Sequence, residues 1–328
     1  MIASLALGLA VAAAESSPPA GKYVTAELIA ESAEPKPGST IWIGIRMVPR
    51  PGWHGYWSNP GDAGIAPTVE WTAPAGVTFG PLVHPAPTLL SAGGVDSYVH
   101  SGPHILLSRM TVAPQVAPGT PLPVSADLGW AACTETMCVP EKAALKIQLV
   151  AGNGGKGAEA TVLEGARRQL PRPGDHGSYS VEGRRLVLAL PPSMRLDATN
   201  ARFFPDESGY YRAAKARAAA DGGRVTIAAP TSGPIPAKLS GVVSDGRNAY
   251  RLSFTRALNE PAMPAPVGTA GDDSPRAASR PVVLQQTPTH PIDTARSQRA
   301  APPHPLPWLA AFAVLAGALA FLAMRRRH

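Results

Sequence analysis

The chain has 328 residues, 45% of them hydrophobic, with 30 Lys and Arg against 23 Asp and Glu for a formal charge of +7. That length allows more than one packed core, and two cysteines are too few for a disulfide-stapled scaffold. The surplus arginines sit in the C-terminal tail and in a Pro/Ala-rich stretch without interleaved aromatics, which excludes a nucleic-acid-binding stripe.

Residues 1–14 are an apolar run of small side chains that turns polar at Glu15. This is the pattern of a secretory signal cleaved after Ala14, although no Lys or Arg precedes it. From residue 20 to 150 the chain reads as strands. Tyr23–Ala30 and Thr40–Val48 alternate apolar and polar residues, and Pro37-Gly38, Pro51-Gly52 and Pro118-Gly119 mark turns between such runs. Further strands are predicted at Thr68–Trp71, His104–Val112, Leu122–Trp130 and Ala143–Val150, a spacing that suggests an immunoglobulin-like β-sandwich.

Residues 151–177 form a connector with a short helix predicted over Glu159–Gln169. A second, smaller sandwich is expected over 178–257, from strands at Tyr179–Glu182, Arg185–Leu190, Ala201–Phe204, Arg224–Ala229, Leu239–Val243 and Ala249–Phe254. That stretch holds neither Cys nor His and has little catalytic material. Residues 258–305 collapse to Pro, Ala, Ser, Thr, Gln and Arg, a composition that cannot bury enough apolar area to offset ordering entropy. They are expected to be a disordered tether. Residues 306–324 are unbroken by charge and, at about 1.5 Å per residue, long enough for one hydrocarbon thickness. Arg325-Arg326-Arg327-His328 then marks the cytoplasmic side. The expected fold class is therefore all-β, with two immunoglobulin-like sandwich domains, a disordered linker and a single C-terminal transmembrane helix. The bulk of the chain would lie outside the membrane.

Both cysteines fall in Trp130-Ala-Ala-Cys133-Thr-Glu-Thr-Met-Cys138-Val-Pro140-Glu141. Five apart on one straight strand, they would point to opposite faces and could not bridge. A four-residue turn at Thr134–Met137 instead makes them facing partners across a hairpin, near a bridging Cα separation of about 5.5 Å. The loop so closed is small and stabilises by only about 2 kcal/mol, which suits a bond that is made and broken. Two other readings stay open: an inert structural disulfide in an envelope scaffold, and a Cu(I) site using Cys133, Met137 and Cys138, since soft sulfur suits that ion. Pro103, between His100 and His104, argues against a helical metal pair there. No resident metal or cofactor is expected. No Gly-rich phosphate loop, Gly-x-Ser-x-Gly elbow or paired-carboxylate motif points to other catalysis.

The block Gly52-Trp53-His54-Gly55-Tyr56-Trp57-Ser58-Asn59-Pro60-Gly61-Asp62-Ala63-Gly64 resembles the W-x-x-Y-W-x-N-P-G-D-x-G signature of the N-terminal periplasmic region of DsbD/ScsB-type thiol:disulfide interchange proteins. Pro67, Trp71, His84-Pro85-Ala-Pro87, Gly94-Val-Asp-Ser-Tyr98 and Cys133-x4-Cys138-Val-Pro140-Glu141 fit the same pattern, as do Phe203-Phe204-Pro205 and Gly241-Val-Val in the second unit. The resemblance runs from about Tyr23 to Phe254.

It implies that Cys133 and Cys138 are the reactive dithiol, shielded by a hydrophobic cap. By motif position Tyr56, Trp57 and Tyr98 are candidates for that cap. Asn59 and Asp62 read first as a turn, with Asp62 able to anchor the loop by hydrogen bonds, and Glu141 is a candidate proton acceptor beside a thiol. Together these residues are the candidate cap and partner-binding set. Full-length relatives continue into a multi-spanning electron-conducting domain and a thioredoxin domain, whereas one span follows here and no Cys-x-x-Cys occurs. The resemblance thus implies a stand-alone module of the bacterial inner membrane. A separate multi-spanning electron carrier would feed it, and its partners would be thioredoxin-like or disulfide-containing periplasmic proteins.

Overall fold

Alternation decides the first half of the fold. In Pro121–Cys133 every second side chain from Leu122 to Trp130 is buried while those between are exposed or half-buried, as a strand with one face on a core requires. The computed structural model describes residues 14–257 apart from 222 and 237. The expected signal segment 1–14 (but for its last residue), the expected linker 258–305, the expected transmembrane span 306–324 and the expected tail 325–328 lie outside the described residues. Among the described residues no helix is long and apolar enough to cross a membrane.

Eleven strands precede the helix: β1 (Glu15–Ser16), β2 (Val24–Ala30), β3 (Thr40–Pro49), β4 (Gly55–Gly61), β5 (Thr68–Thr72), β6 (Val77–Phe79), β7 (Thr88–Ala92), β8 (Val95–His100), β9 (His104–Val112), β10 (Pro121–Cys133) and β11 (Cys138–Val150). They form a sheet in the order β1-β11-β10-β5, a second in the order β2-β3-β9-β6 and a three-stranded sheet β4-β8-β7. The first two sheets share one core. Val24, Leu28, Ile43, Ile45 and Met110 come from one side and Leu122, Val124, Leu128, Leu145 and Ile147 from the other. Burial of each large side chain stabilises by about 2 kcal/mol.

Helix α1 (Ala160–Arg168) lies on the outer face of the second sheet. Its Leu163 and Ala166 pack with Ile29 and Leu107. A Cβ on Gly44 would sit 2.7 Å from Leu163 Cδ2, so a bare backbone is what admits the helix.

The second half contains β12 (Arg172–Pro173), β13 (Gly177–Glu182), β14 (Arg185–Ala189), β15 (Arg202–Pro205), β16 (Arg217–Asp221), β17 (Arg224–Pro230), β18 (Leu239–Ser244) and β19 (Ala249–Arg256). Its hydrogen bonding departs from the expected pair of sheets. The strands form one continuous path, β15-β18-β19-β13-β14-β17-β16, with β12 also on β19. The join is the parallel pairing of β13 with β19, from Gly177 opposite Phe254 to Tyr179 opposite Arg256. Phe203, Leu186, Leu188, Ile227 and Phe254 form its core.

The two halves meet at an aromatic seam. Trp57 of β4 and Tyr98 of β8 belong to the second core, where both lie edge-on to Phe204 at centroid distances of 6.5 and 5.3 Å. Polar ties flank the seam: Asp96 accepts from the Ala214 amide, and Arg212 pairs with Asp62 at 2.9 Å.

Candidate functional site

Cys133 ends β10, Cys138 begins β11, and the ladder places them directly opposite each other. The backbone amide and carbonyl of Cys133 are both taken by His54, at 3.0 and 2.9 Å, on the side away from Cys138. The cysteines are therefore a non-hydrogen-bonded pair, the closely spaced kind in an antiparallel ladder. Their Cα atoms lie 4.1 Å apart and the sulfurs are joined in a disulfide. The turn between them supports itself: Thr134 N donates to Met137 O, and Thr134 Oγ1 accepts from the Thr136 and Met137 amides.

Exposure separates the two sulfur-bearing residues. Cys133 is fully buried, packed with Tyr56, Val99 and Ala131. Cys138 is exposed, and the neighbouring Met137 side chain is half-exposed. An approaching reactant meets Cys138 first.

One aromatic of the three cap candidates lies beside the pair. The Tyr56 hydroxyl is 3.7 Å from Cys138 Sγ, and its ring is edge-on to His54 at 5.4 Å. Gly64, at φ +111°, passes so close that a Cβ there would overlap the Tyr56 ring. The loop after β4 thus presses the ring toward the hairpin. Burial pushes the Tyr56 phenol up and the His54 imidazole down, so both are neutral at neutral pH. A neutral phenol can donate a hydrogen bond to a nearby thiolate, which needs such a partner when partly desolvated.

Trp57 and Tyr98 are placed elsewhere. Adjacent residues on a strand face opposite ways, so with Tyr56 toward the cysteines Trp57 enters the seam with Tyr98. Asn59 and Asp62 also serve the junction of the two halves. Asn59 is buried, donates from Nδ2 to Pro205 O at 2.7 Å and accepts the Gly61 amide at Oδ1. Asp62 accepts the Asp96 amide and the Arg212 guanidinium.

Glu141, a candidate proton acceptor by sequence, is engaged in holding the backbone. Its carboxylate is occupied by the amides of Lys22, Tyr23 and Val24 and by Trp130 Nε1, at 2.7 to 3.2 Å. It clamps the start of β2 to the β10–β11 hairpin.

His54 lies immediately before β4. Its backbone is what extends β10 toward β4, a pairing that no local pattern in the sequence signals. A second unforeseen group is a stack of His84, His100 and His104, all buried, with centroids 6.4 and 4.3 Å apart. Among the described residues no group of His, Cys, Asp and Glu is arranged to hold a metal ion. In the oxidised pair both sulfurs are also committed to each other, so Cu(I) would need the reduced form.

Residues 25–149 match the family model described as thiol:disulfide interchange protein DsbD, N-terminal. The N-terminal periplasmic domain of ScsB from Proteus mirabilis superposes with a TM-score of 0.56 at 16% identity, covering 74% of this chain and 97% of that one. A chaperone–tip adhesion subunit complex (CsuC–CsuE) of Csu pili from Acinetobacter baumannii aligns at 15% identity over 70% of this chain and 99% of that one, but its TM-score of 0.15 supports no argument. A search among curated proteins matched no relative. The first half of the chain thus matches the DsbD N-terminal family over residues 25–149, shares the fold of the ScsB domain, and carries a disulfide at its β10–β11 hairpin.

Proposed function

We propose that this DsbD/ScsB-type domain relays reducing equivalents by thiol–disulfide exchange through Cys133 and Cys138, on the periplasmic side of the bacterial inner membrane. A membrane electron carrier is the donor, and thioredoxin-like or other disulfide-bearing periplasmic proteins are the acceptors. The family match supports the chemistry and the compartment. The sequence supports anchoring through residues 306–324. The observation that carries the reading is the asymmetry of the bridge, with Cys138 exposed, Cys133 buried and the Tyr56 hydroxyl against Cys138 Sγ.

In the oxidised protein a donor thiolate attacks Cys138 Sγ. The Cys133–Cys138 bond breaks, a mixed disulfide forms, and Cys133 leaves as a thiolate that takes up a proton. The donor's second thiol displaces Cys138, so two electrons and two protons have moved and the donor carries the disulfide. In the return half, the Cys138 thiolate attacks the acceptor's disulfide, and Cys133 resolves the mixed disulfide to regenerate the bridge. Tyr56 donates a hydrogen bond to Cys138 while its sulfur is anionic, and its ring limits access to the pair.

Equilibration against dithiol redox buffers tests this reading. An exchange-competent pair titrates above about −300 mV, whereas a bridge still oxidised below that belongs with inert structural disulfides, and the proposal then fails.

A further inference from the structure

A second site lies away from the disulfide. A cleft of about 730 Å³ opens where three elements converge: the Pro85–Thr88 segment of the first half, the C-terminal end of α1, and the β18–β19 turn with the neighbouring Arg172. Four arginines line it, Arg167, Arg168, Arg172 and Arg247, and no Asp or Glu does.

The charge is only weakly compensated. Arg168 pairs with Glu164 one helical turn away, and Arg167 lies 4.0 Å from Glu31; both pairs are substantially exposed and so contribute little. Arg172 donates only to neutral acceptors, Asn248 Oδ1 at 2.8 Å and the Tyr250 hydroxyl at 2.9 Å. For Arg172 and Arg247 no carboxylate lies within ion-pair distance among the described residues. The nearest candidate by sequence, Asp245, is occupied by the amides of Asp197, Arg247 and Asn248.

Two of the guanidinium groups are also held in place. Arg172 lies over the Tyr250 ring at 4.6 Å and Arg167 over Trp42 at 5.4 Å. Stacking of this kind fixes the planar fork; Arg172 Nη2 is taken by Asn248 and Tyr250, while its Nη1 has no hydrogen-bond partner among the described residues. The Asp245 carboxylate holds the backbone amide of Arg247.

From this arrangement we infer that the cleft binds a phosphate-type polyanion. A lining of four arginines without a carboxylate suits phosphoryl oxygens, which a guanidinium fork can meet bidentately. The volume is that of a small-molecule site and exceeds what a single phosphate would fill. Because its walls come from both halves and from the connector, a bound anion holds the halves together. The ligand class is a molecule with two or more phosphoryl groups, either free in solution or carried on the headgroup of an anionic lipid. The site is independent of the disulfide chemistry and survives the failure of that reading.

The test is calorimetric titration of the full-length chain, kept in a neutral detergent at 50 mM salt on the order of the Debye-length regime of 10–30 Å, with tripolyphosphate as the probe. One-to-one saturable binding is expected, weakened at least tenfold in R172Q/R247Q. The pair R217Q/R224Q, on β16 and β17, leaves it unchanged. Thermal melting of each variant checks that the fold is retained. A short-chain tetrahexanoyl diphosphatidylglycerol (cardiolipin), which carries two phosphodiesters, separates the two sources as competitor: displacement in the wild type assigns the headgroup, and no displacement assigns a soluble phosphorylated molecule. Absence of saturable binding up to millimolar tripolyphosphate, or wild-type affinity in R172Q/R247Q, overturns the proposal.

Discussion

Acid should weaken this fold through the histidine stack. His84, His100 and His104 are 7, 7 and 8% exposed, and their neighbours include one another and Arg251 rather than a carboxylate. His104 Nδ1 donates to Gly102 O, while His84 Nδ1 and His100 Nε2 are buried without a hydrogen-bond partner among the described residues. Burial, reinforced for His84 by His104 and Arg251, pushes His84 and His104 down to about 4, and His100 falls well below its ordinary value. The unfolded chain titrates near 6.5, so between pH 6.5 and 4 it binds protons that the folded protein does not. Stability contributed by the neutral stack is therefore intact above pH 6.5 and is lost progressively as pH falls, the share from His84 and His104 levelling off below about 4. Each of His84 and His104 contributes a loss of about 2 kcal/mol at pH 5 and about 3 kcal/mol once pH is below 4. Urea unfolding followed by tryptophan fluorescence between pH 7.5 and 4.5 measures the slope, with H84Q/H104Q as reference. The variant starts less stable but loses less on acidification, because carboxylate effects are common to both proteins. Equal losses in the two would refute the assignment of the acid sensitivity to the stack.

Three other substitutions separate roles around the hairpin. E141A strands three backbone amides and the Trp130 indole and should cost about 2–4 kcal/mol in urea unfolding, while E141Q, if folded, exchanges disulfides at the wild-type rate; slow exchange in a stable E141Q would restore Glu141 as a proton acceptor. Y56F removes the hydroxyl beside Cys138 Sγ and should raise the thiol pKa of reduced Cys138, read as a shift to higher pH in its alkylation profile; an unmoved profile means that the hydroxyl does not touch the thiolate. N59A leaves Pro205 O and the Gly61 amide without their partner and should cost about 1–3 kcal/mol, with the alkylation rate of reduced Cys138 unchanged; a changed rate would place Asn59 at the redox site.

The hairpin was legible because its logic is local. Two cysteines flanking a four-residue turn face each other across it, and the alternating apolar residues before Cys133 fix which face is inward. Helix α1 was legible for the same reason, with Leu163 and Ala166 on one face. The features that escaped depend on distant partners. Asn59-Pro-Gly-Asp62 has turn composition, yet most of it lies in β4 beside an irregular register, and its partner Pro205 is 146 residues away. Glu141 meets Lys22 from 119 residues along the chain, so nothing near it betrays the clamp. Tyr56 and Trp57 are neighbours of similar character, and only the register decides which faces the sulfurs. The alanine-rich β16 lacks any strand-forming preference and exists because β17 offers it an edge.

The most direct test of the relay is trapping of the mixed disulfide from single-cysteine variants in a periplasmic extract. C133S retains the exposed Cys138 without its resolving partner and should accumulate covalent, reductant-sensitive adducts with thioredoxin-like or other disulfide-bearing proteins. C138S retains only the buried Cys133 and should accumulate few. Adducts from neither variant, or from C138S alone, would contradict exchange through Cys138.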